Sequence, residues 1–436
     1  MNTKKIYLLI LMFAGFRVSA QDTLSLEQAI DLGMQNNYSI IIARNTEQIA
    51  RNSNTIGNAG FLPQVNANYN NNNGIVNSKT VLLAGGTREG TGVKTNNTNA
   101  NALVNWTVFD GFNMFINKNR LEELERAGEW QARMNIENTV SQIITTYYVI
   151  VQQQKMLSVI KSAIDLSSQR LKLTQQMKEI GTGSEQAILQ AMVDVNADSS
   201  AYIQQIFAIQ NSKADLNRLL ARDVNTAFEV KDNITITTGM NYADLVGKMD
   251  KENAQLLVAR ANMNIAEYAI HSYQSQYYPT VNLFGGYNYG KIQNPLSPAA
   301  LSQSKGLTYG LTASINLFNG GVTALNVQNA KVLLQNNKLQ YEDTRLLLQN
   351  QLYRAYNNYT GNLRLYEIQK GNVGIAGKDV EISMVKYKLG SITDIDLRII
   401  QQKLIDAQNT LISSQYAAKQ AEIELKRLSG GLLTVQ

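Results

Sequence analysis

Phe61-Leu62-Pro63-Gln64-Val65-Asn66-Ala67-Asn68-Tyr69-Asn70 decides how this chain is read. After Pro63, the apolar residues Val65, Ala67 and Tyr69 alternate with Asn66, Asn68 and Asn70. That period of two belongs to a strand with one apolar and one amide face. The phrase returns as Tyr277-Tyr278-Pro279-Thr280-Val281-Asn282, an offset of 216 residues. Ala43-Arg44 and Ile49-Ala50 return at the same offset as Ala259-Arg260 and Ile265-Ala266. Phe109-Asp110-Gly111 and Leu216-Asn217-Arg218-Leu219 return as Phe318-Asn319-Gly320 and Leu425-Lys426-Arg427-Leu428, now at an offset of 209. The chain therefore reads as two repeats, residues 21–230 and 231–436. The first carries a longer loop between its proline and its Phe-x-Gly motif, where a surface loop tolerates insertion.

Each repeat holds two alternating segments. Strands are expected over residues 62–80, 98–110, 278–291 and 306–318. Ala100, Ala102, Val104, Trp106 and Val108 oppose Asn101, Leu103, Asn105, Thr107 and Phe109. Leu307, Tyr309, Leu311 and Ala313, with Ile315 and Leu317, oppose Thr308, Gly310, Thr312, Ser314, Asn316 and Phe318. Each run approaches the length a tilted strand needs to cross a bilayer. Trp106, Phe109, Phe112, Tyr277, Tyr278 and Phe318 fall at segment ends, where interfacial aromatics sit. A soluble sandwich with one wet face shares this alternation; low charge and an export signal favour membrane strands.

That signal is the N-terminus. Lys4 and Lys5 precede an apolar run from Ile6 to Phe16, and Val18-Ser19-Ala20 offers small residues for cleavage before Gln21. Residues 1–20 read as a secretory signal peptide, the apolar run being too short to span a bilayer. Cleavage removes Lys4, Lys5 and Arg17 but no acid, so the formal charge of +6 for 436 residues falls to +3. No basic stripe remains for nucleic acid. With no cysteine and one histidine, His271, the chain lacks the usual material of a disulfide framework, a zinc centre or a histidine-based triad. No catalytic residue, metal site or cofactor is expected, and the chain does not read as an enzyme. Gly181-Thr182-Gly183-Ser184 lacks the lysine and preceding strand of a phosphate loop.

Between the strand pairs lie long proline-free stretches. All four prolines cluster at Pro63, Pro279, Pro295 and Pro298. Proline inside a helix costs about 3 kcal/mol, so its absence permits very long helices. The stretch from Phe112 to about Ile180 would reach on the order of 100 Å at about 1.5 Å per residue. Its counterpart contains Gly361, Gly371, Gly374 and Gly377, which predict a bend or irregularity. In the last helix Leu397, Ile400, Leu404, Ala407, Leu411, Ser414, Ala418, Ala421, Leu425 and Leu428 form a seam for a partner helix. The first-repeat line of Ile188, Ala191, Val195, Asp198 and Gln205 is more polar.

Both long helices end at a glycine, and tight turns are expected near residues 181–185 and 390–394. Thr182 with Glu185, and Ser391 with Asp394, fit the [ST]-x-x-[DE] pattern of a capping box for the helix that follows. Lys178, Lys386 and Lys388 sit where cations suit a helix C-terminus.

Four strands cannot close a barrel, and open edges are not tolerated in lipid. Copies of the chain must pool strands: two give 8, three give 12. Helices leaving the strands at Phe112 and Gly321 would then project into the periplasm.

In order and in duplicate, these motifs resemble the TolC family of outer-membrane efflux proteins. The motifs are Leu24-Ser25-Leu26-Glu27-Gln28-Ala29 with Asn36-Asn37, then Leu62-Pro63, Phe109-Asp110-Gly111, Tyr387-x-x-Gly390 and a closing Leu-x-Gly at Gly430. The resemblance implies a mainly α fold with a transmembrane β part: a homotrimer with a 12-stranded β-barrel in the outer membrane of a Gram-negative bacterium and an α-barrel of long helices in the periplasm. It implies a passive exit channel of a tripartite efflux or type I secretion system. Its partners would be outer-membrane lipid, a periplasmic adaptor and an inner-membrane pump of the RND or ABC type, docking near Gly181, Thr182, Glu185, Tyr387, Gly390 and Ser391. It also implies a carboxylate ring at the tip aperture. Asp396 falls where that ring begins, with Asp394 beside it, whereas the next family carboxylate is Ile399 here. Glu185, Asp394 and Asp396 equally suit acids stabilising a helix N-terminus. A trimeric coiled-coil scaffold or adhesin of the cell envelope is the alternative, and it would have no conducting lumen. An outer-membrane enzyme is disfavoured by the lack of a convergent catalytic cluster.

Overall fold

The computed structural model describes residues 23–231, 233–297 and 299–433. The expected signal peptide over residues 1–20, its cleavage site, and Pro298 lie outside them. In chain order the elements are β1 (Thr23–Leu24), α1 (Leu26–Asn36), α2 (Tyr38–Ser53), α3 (Ile56–Ala59), β2 (Gln64–Val81) and β3 (Thr87–Asp110). Next come α4 (Asn113–Glu179), α5 (Glu185–Leu219), β4 (Glu229–Val230), α6 (Tyr242–Glu252), α7 (Ala254–Gln274), β5 (Thr280–Gln293), β6 (Leu301–Ser314), α8 (Val322–Lys388) and α9 (Asp394–Leu428). α4 and α8 have 67 residues each; α5 and α9 have 35 each. The chain forms two compact units. One comprises residues up to Thr46, Trp130–Leu257 and Asp343 onward; the other comprises Glu47–Glu129 and Val258–Glu342.

The second of these units holds the sheet. Its strands run antiparallel in the order β2-β3-β5-β6, so β2 and β6 are its edges. The strands are displaced from the spans expected in sequence. β3 begins at Thr87, well before residue 98, and β6 begins at Leu301 and stops at Ser314. Residues 87–97 lack apolar alternation, and their strand exists because β2 pairs with them along its length. Ile315, Leu317 and Phe318 therefore lie beyond the strand that was expected to include them.

The register sorts side chains onto two faces. Val65, Val104, Gly285 and Tyr309 form one row; Ala67, Ala102, Tyr287 and Leu307 form the next. The opposite face carries Asn66, Asn68 and Asn70 beside Asn99, Asn101 and Asn105, then Asn282, Asn288, Thr308 and Thr312. Amides bond across strands, as Asn68 Nδ2 does to Asn101 Oδ1 at 3.0 Å. A bulge between Thr107 and Phe109 pairs Phe109 with Val281 and moves it to the face of Trp106 and Leu283. Uninterrupted alternation had placed Phe109 opposite Trp106; one extra residue reverses that assignment.

At the strand-to-helix turn, Asp110 Oδ1 accepts from the Met114 backbone N–H at 3.1 Å. Gly111 sits at φ +69°, and a Cβ there would lie 2.4 Å from the Ser275 carbonyl oxygen. The Phe-Asp-Gly motif is thus a cap, a left-handed turn and a close backbone approach in three residues. The expected interfacial aromatics cluster here in part: the Phe112 ring lies 5.2 Å from Phe109 and 6.5 Å from Tyr278, and Trp106 Nε1 donates to the Phe61 carbonyl at 2.8 Å. Tyr277 and Phe318 are exposed.

The other unit is a helical bundle with a small parallel β1–β4 pair. Its core packs Val140, Ile143, Tyr147 and Ile150 of α4 against Leu216 and Leu220, Phe228 and Ile423. The Tyr147 hydroxyl donates to the Leu24 carbonyl at 3.0 Å and accepts from the Lys231 N–H at 3.1 Å, tying both short strands to α4. Asn37 donates to the Leu219 carbonyl at 2.7 Å, and Asn253 to the Leu428 carbonyl at 2.9 Å, each closing the end of a 35-residue helix.

α8 runs as one helix through Gly361, Gly371, Gly374 and Gly377, with no break at the glycines. A glycine costs about 1 kcal/mol in a helix, which packing elsewhere along 67 residues can absorb. The seam of α9 is buried at Leu397, Ser414, Ala418, Ala421, Leu425 and Leu428. In the middle it steps one residue: Gln401, Ile405 and Ile412 are buried in place of Ile400, Leu404 and Leu411.

Candidate functional site

The turns joining α4 to α5 and α8 to α9 share one geometry. Gly181 and Gly390 adopt φ +79° and +71°. The Gly181 N–H donates to the Lys178 carbonyl and the Thr182 N–H to the Met177 carbonyl, both at 2.9 Å. Gly390 and Ser391 repeat this toward Tyr387 and Lys386, also at 2.9 Å. These are Schellman motifs, with glycine at the left-handed position.

That geometry corrects the expected capping boxes. Thr182 and Ser391 are spent closing the helix before the turn; the Thr182 hydroxyl itself donates to the Met177 carbonyl at 3.0 Å. The true N-caps lie two residues later. Ser184 Oγ accepts from the Ala187 N–H at 3.2 Å, and Thr393 Oγ1 from the Asp396 N–H at 3.2 Å. Thr393 and Asp396 form a full capping box, since Asp396 Oδ2 accepts from the Thr393 N–H at 3.0 Å. Glu185 instead pairs with Lys178 across its own turn.

Asp396 and Asp394 therefore differ. Asp396 is exposed, and hydrogen bonds from the Thr393 hydroxyl and N–H hold its carboxyl below the ordinary aspartate range. Asp394 points into the bundle. Burial raises its pKa, the nearby Asp194 adds to the rise, and Arg170 opposes it.

Around Asp394 the four helices meet through charge. Arg170 of α4 is fully buried; it pairs with Asp194 of α5, and its Nε lies 3.6 Å from Asp394 Oδ1. Arg398 Nη2 of α9 contacts Asp198 Oδ1 at 3.0 Å, and its Nε lies 3.8 Å from Asp194. The buried Tyr387 hydroxyl of α8 lies 2.9 Å from Thr174 Oγ1 and 3.4 Å from Asp394 Oδ1. Burial raises the Tyr387 pKa, so its phenol stays protonated. Two cations face three carboxylates, and the cluster is short of one positive charge. Beside it, a cleft of about 590 Å³ between the two turns is lined by Thr174, Met177, Gln190, Tyr387, Ile392 and Asp394.

The structure thus brings Gly181, Thr182, Glu185, Tyr387, Gly390, Ser391, Asp394 and Asp396 to one end of the bundle. Sequence reading missed Arg170, Thr174, Asp194 and Arg398, and placed Asp198 only as a polar position on its helix line. The available signal was i,i+4 spacing: Arg170 with Thr174, Asp194 with Asp198, and Asp394 with Arg398 each stack on one helix face. Among the described residues, no cluster of histidine and acids suits a metal. His271 hydrogen-bonds Gln274 at 3.2 Å on the helix surface.

Residues 245–431 match the family model described as outer membrane efflux protein. The chain is 22% identical to the outer membrane protein TolC of Vibrio cholerae over 327 residues, covering 71% of this chain and 72% of that one. It is 20% identical to TolC of Escherichia coli K12 over 80% of its length and 72% of that protein. The fold matches the outer membrane protein VceC of Vibrio cholerae with a TM-score of 0.77 at 17% identity, covering 93% of this chain and 96% of that one. The chain is thus similar in sequence to the TolC proteins over most of its length and shares the fold of VceC.

Proposed function

We propose that the chain is the outer-membrane exit duct of a tripartite efflux or type I secretion system. The observation that carries this reading is the open four-stranded sheet with edges β2 and β6. One face is apolar and the other lined with amides and hydroxyls. Lipid satisfies no backbone polar group, so both edges need partners. Three copies joining β6 of one to β2 of the next form a closed barrel of 12 strands around a polar bore. The two halves of the chain, as structural repeats, each supply two strands and one long helical hairpin.

In this reading the strands lie in the outer membrane and the hairpins in the periplasm. The turns at Gly181 and Gly390 meet the adaptor, and an RND or ABC pump in the inner membrane supplies the energy. The chain itself is a passive conduit. Asp396, exposed and held ionised, lines the aperture in three copies and favours cations there. Single-channel recording of the purified trimer tests this. Conductance with cation preference is expected. A preparation that is trimeric but silent in every bilayer favours a coiled-coil scaffold or adhesin instead.

A further inference from the structure

We infer that the apolar face of the sheet carries a binding site for a phosphorylated glycolipid of the outer leaflet. The site lies at the end of the sheet farther from the helix junctions. This rests on the proposed membrane reading, in which those hairpin turns face outward.

The apolar face ends abruptly. One row of the register reads Tyr69, Ala100, Tyr289 and Lys305; the next reads Asn71, Thr98, Lys291 and Gln303. Lys305 thus stands level with two tyrosines, and Lys291 one step beyond. Tyrosines at that level mark the headgroup boundary. Just inside it, Ala67, Ala100 and Ala102 floor a hollow of about 350 Å³ walled by Tyr69, Tyr287 and Tyr289. Small residues between large rings leave a shallow apolar hollow there that an acyl chain could line.

Charge points the same way. Residues 64–81, 90–109 and 280–314 contain no Asp or Glu, yet include Lys79, Lys94, Lys291 and Lys305. Neither Lys291 nor Lys305 forms an ion pair among the described residues. Lys79, nearer the hairpin turn, instead pairs with Glu89. Two unneutralised ammonium groups above an apolar hollow fit a lipid with a phosphate at its headgroup: the chain lies in the hollow and the phosphate meets Lys291 and Lys305.

The test is native mass spectrometry of the purified full-length assembly, titrated with diphosphoryl lipid A and with the same lipid dephosphorylated. Wild-type protein is expected to retain the phosphorylated form at least about fivefold better, the gain of a single lysine at a lipid surface. Lys291→Gln/Lys305→Gln is expected to erase that preference, and excess inorganic phosphate should not displace bound lipid. Ala102→Trp, which fills the hollow from the side nearer the helix junctions, is expected to weaken both lipids alike. Equal retention of both lipids by wild type, or an unchanged preference in the double variant, overturns the site. Channel conductance of the same preparations is recorded separately. Lipid preference without conductance fails the duct and keeps the site; conductance without preference does the reverse.

Discussion

Arg170 and Asp394 meet across the two helical hairpins, Nε to Oδ1 at 3.6 Å, with no part of the Arg170 side chain exposed. A buried ion pair is costly to assemble and more costly to break, because removing one partner strands the other in a poor solvent. Arg170→Ala leaves Asp194 and Asp394 facing each other with Arg398 alone to share. It is expected to destabilise the bundle by about 3–5 kcal/mol, seen as a lower denaturation midpoint and faster proteolysis at the turns near Gly181 and Gly390. Arg170→Lys should not rescue, since a single ammonium cannot address two carboxylates as a guanidinium fork does. Wild-type proteolysis rates in Arg170→Ala would show that the pair does not fasten the hairpins.

The two aspartates of α9 should drive stability in opposite directions with pH. Burial and Asp194 raise the Asp394 pKa above 3.8, so its protonated form is favoured in the folded chain. Its contribution is present below that value and lost as pH rises through the raised one. Asp396 is lowered by its bonds to Thr393, so its contribution is present above 3.8 and lost as pH falls. Asp394→Asn is therefore expected to flatten the decline on the alkaline side of this window, and Asp396→Asn the decline on the acid side. Thermal melts across mildly acidic pH read both. Identical profiles for the two variants would contradict the assignment.

How much of this was legible beforehand depended on whether a signal was local. Alternation at Val65, Ala67 and Tyr69 needs only neighbours in sequence, so the strands and their faces were readable. Phe109 was not, because a bulge is decided by the partner strand. Gly181 and Gly390 announced the turns, yet Thr182 and Ser391 gave false caps: the same residue types serve either side of a turn, and only the Schellman bonds assign them backward. The Arg170 cluster was out of reach for a different reason. Its members lie on four helices, and no pattern along a single helix says which faces meet. Asn253 likewise hides its role, its partner being the carbonyl of Leu428 at the far end of the chain.

Ion selectivity should reside at Asp396 and not in the barrel. The amide face from Gln64 to Asn72, with its partners on β3, β5 and β6, carries no charged side chain. Asp396→Asn is expected to bring the reversal potential in a salt gradient toward zero while leaving conductance within about twofold. If the amide face lines the conduit as proposed, Asn101→Asp, which adds a charge to the middle of that face, should increase cation preference. An unchanged reversal potential in Asp396→Asn discards the aperture role and leaves that residue as the capping-box partner of Thr393.

The buried acid most exposed to failure is Glu422. None of its side chain reaches solvent; it accepts from the Thr237 N–H at 3.0 Å and hydroxyl at 2.9 Å, and pairs with Lys419 at 3.1 Å and Lys426 at 2.7 Å. Burial alone would raise its pKa, but Lys426, Lys419 and the Thr237 N–H outweigh it and hold the carboxyl below 4.5. Its contribution is thus present above that value and lost as pH falls. Glu422→Gln keeps the shape but removes the charge, leaving Lys419, already depressed by burial, without its counterion. A loss of about 3–5 kcal/mol is expected at neutral pH, shrinking toward acid, where the wild-type carboxyl is itself protonated. Because Thr237 lies on the connection to α6, the variant should also free that segment, giving faster amide exchange at Thr237 than at Tyr147. A pH-independent loss would place the cost in packing and not in charge.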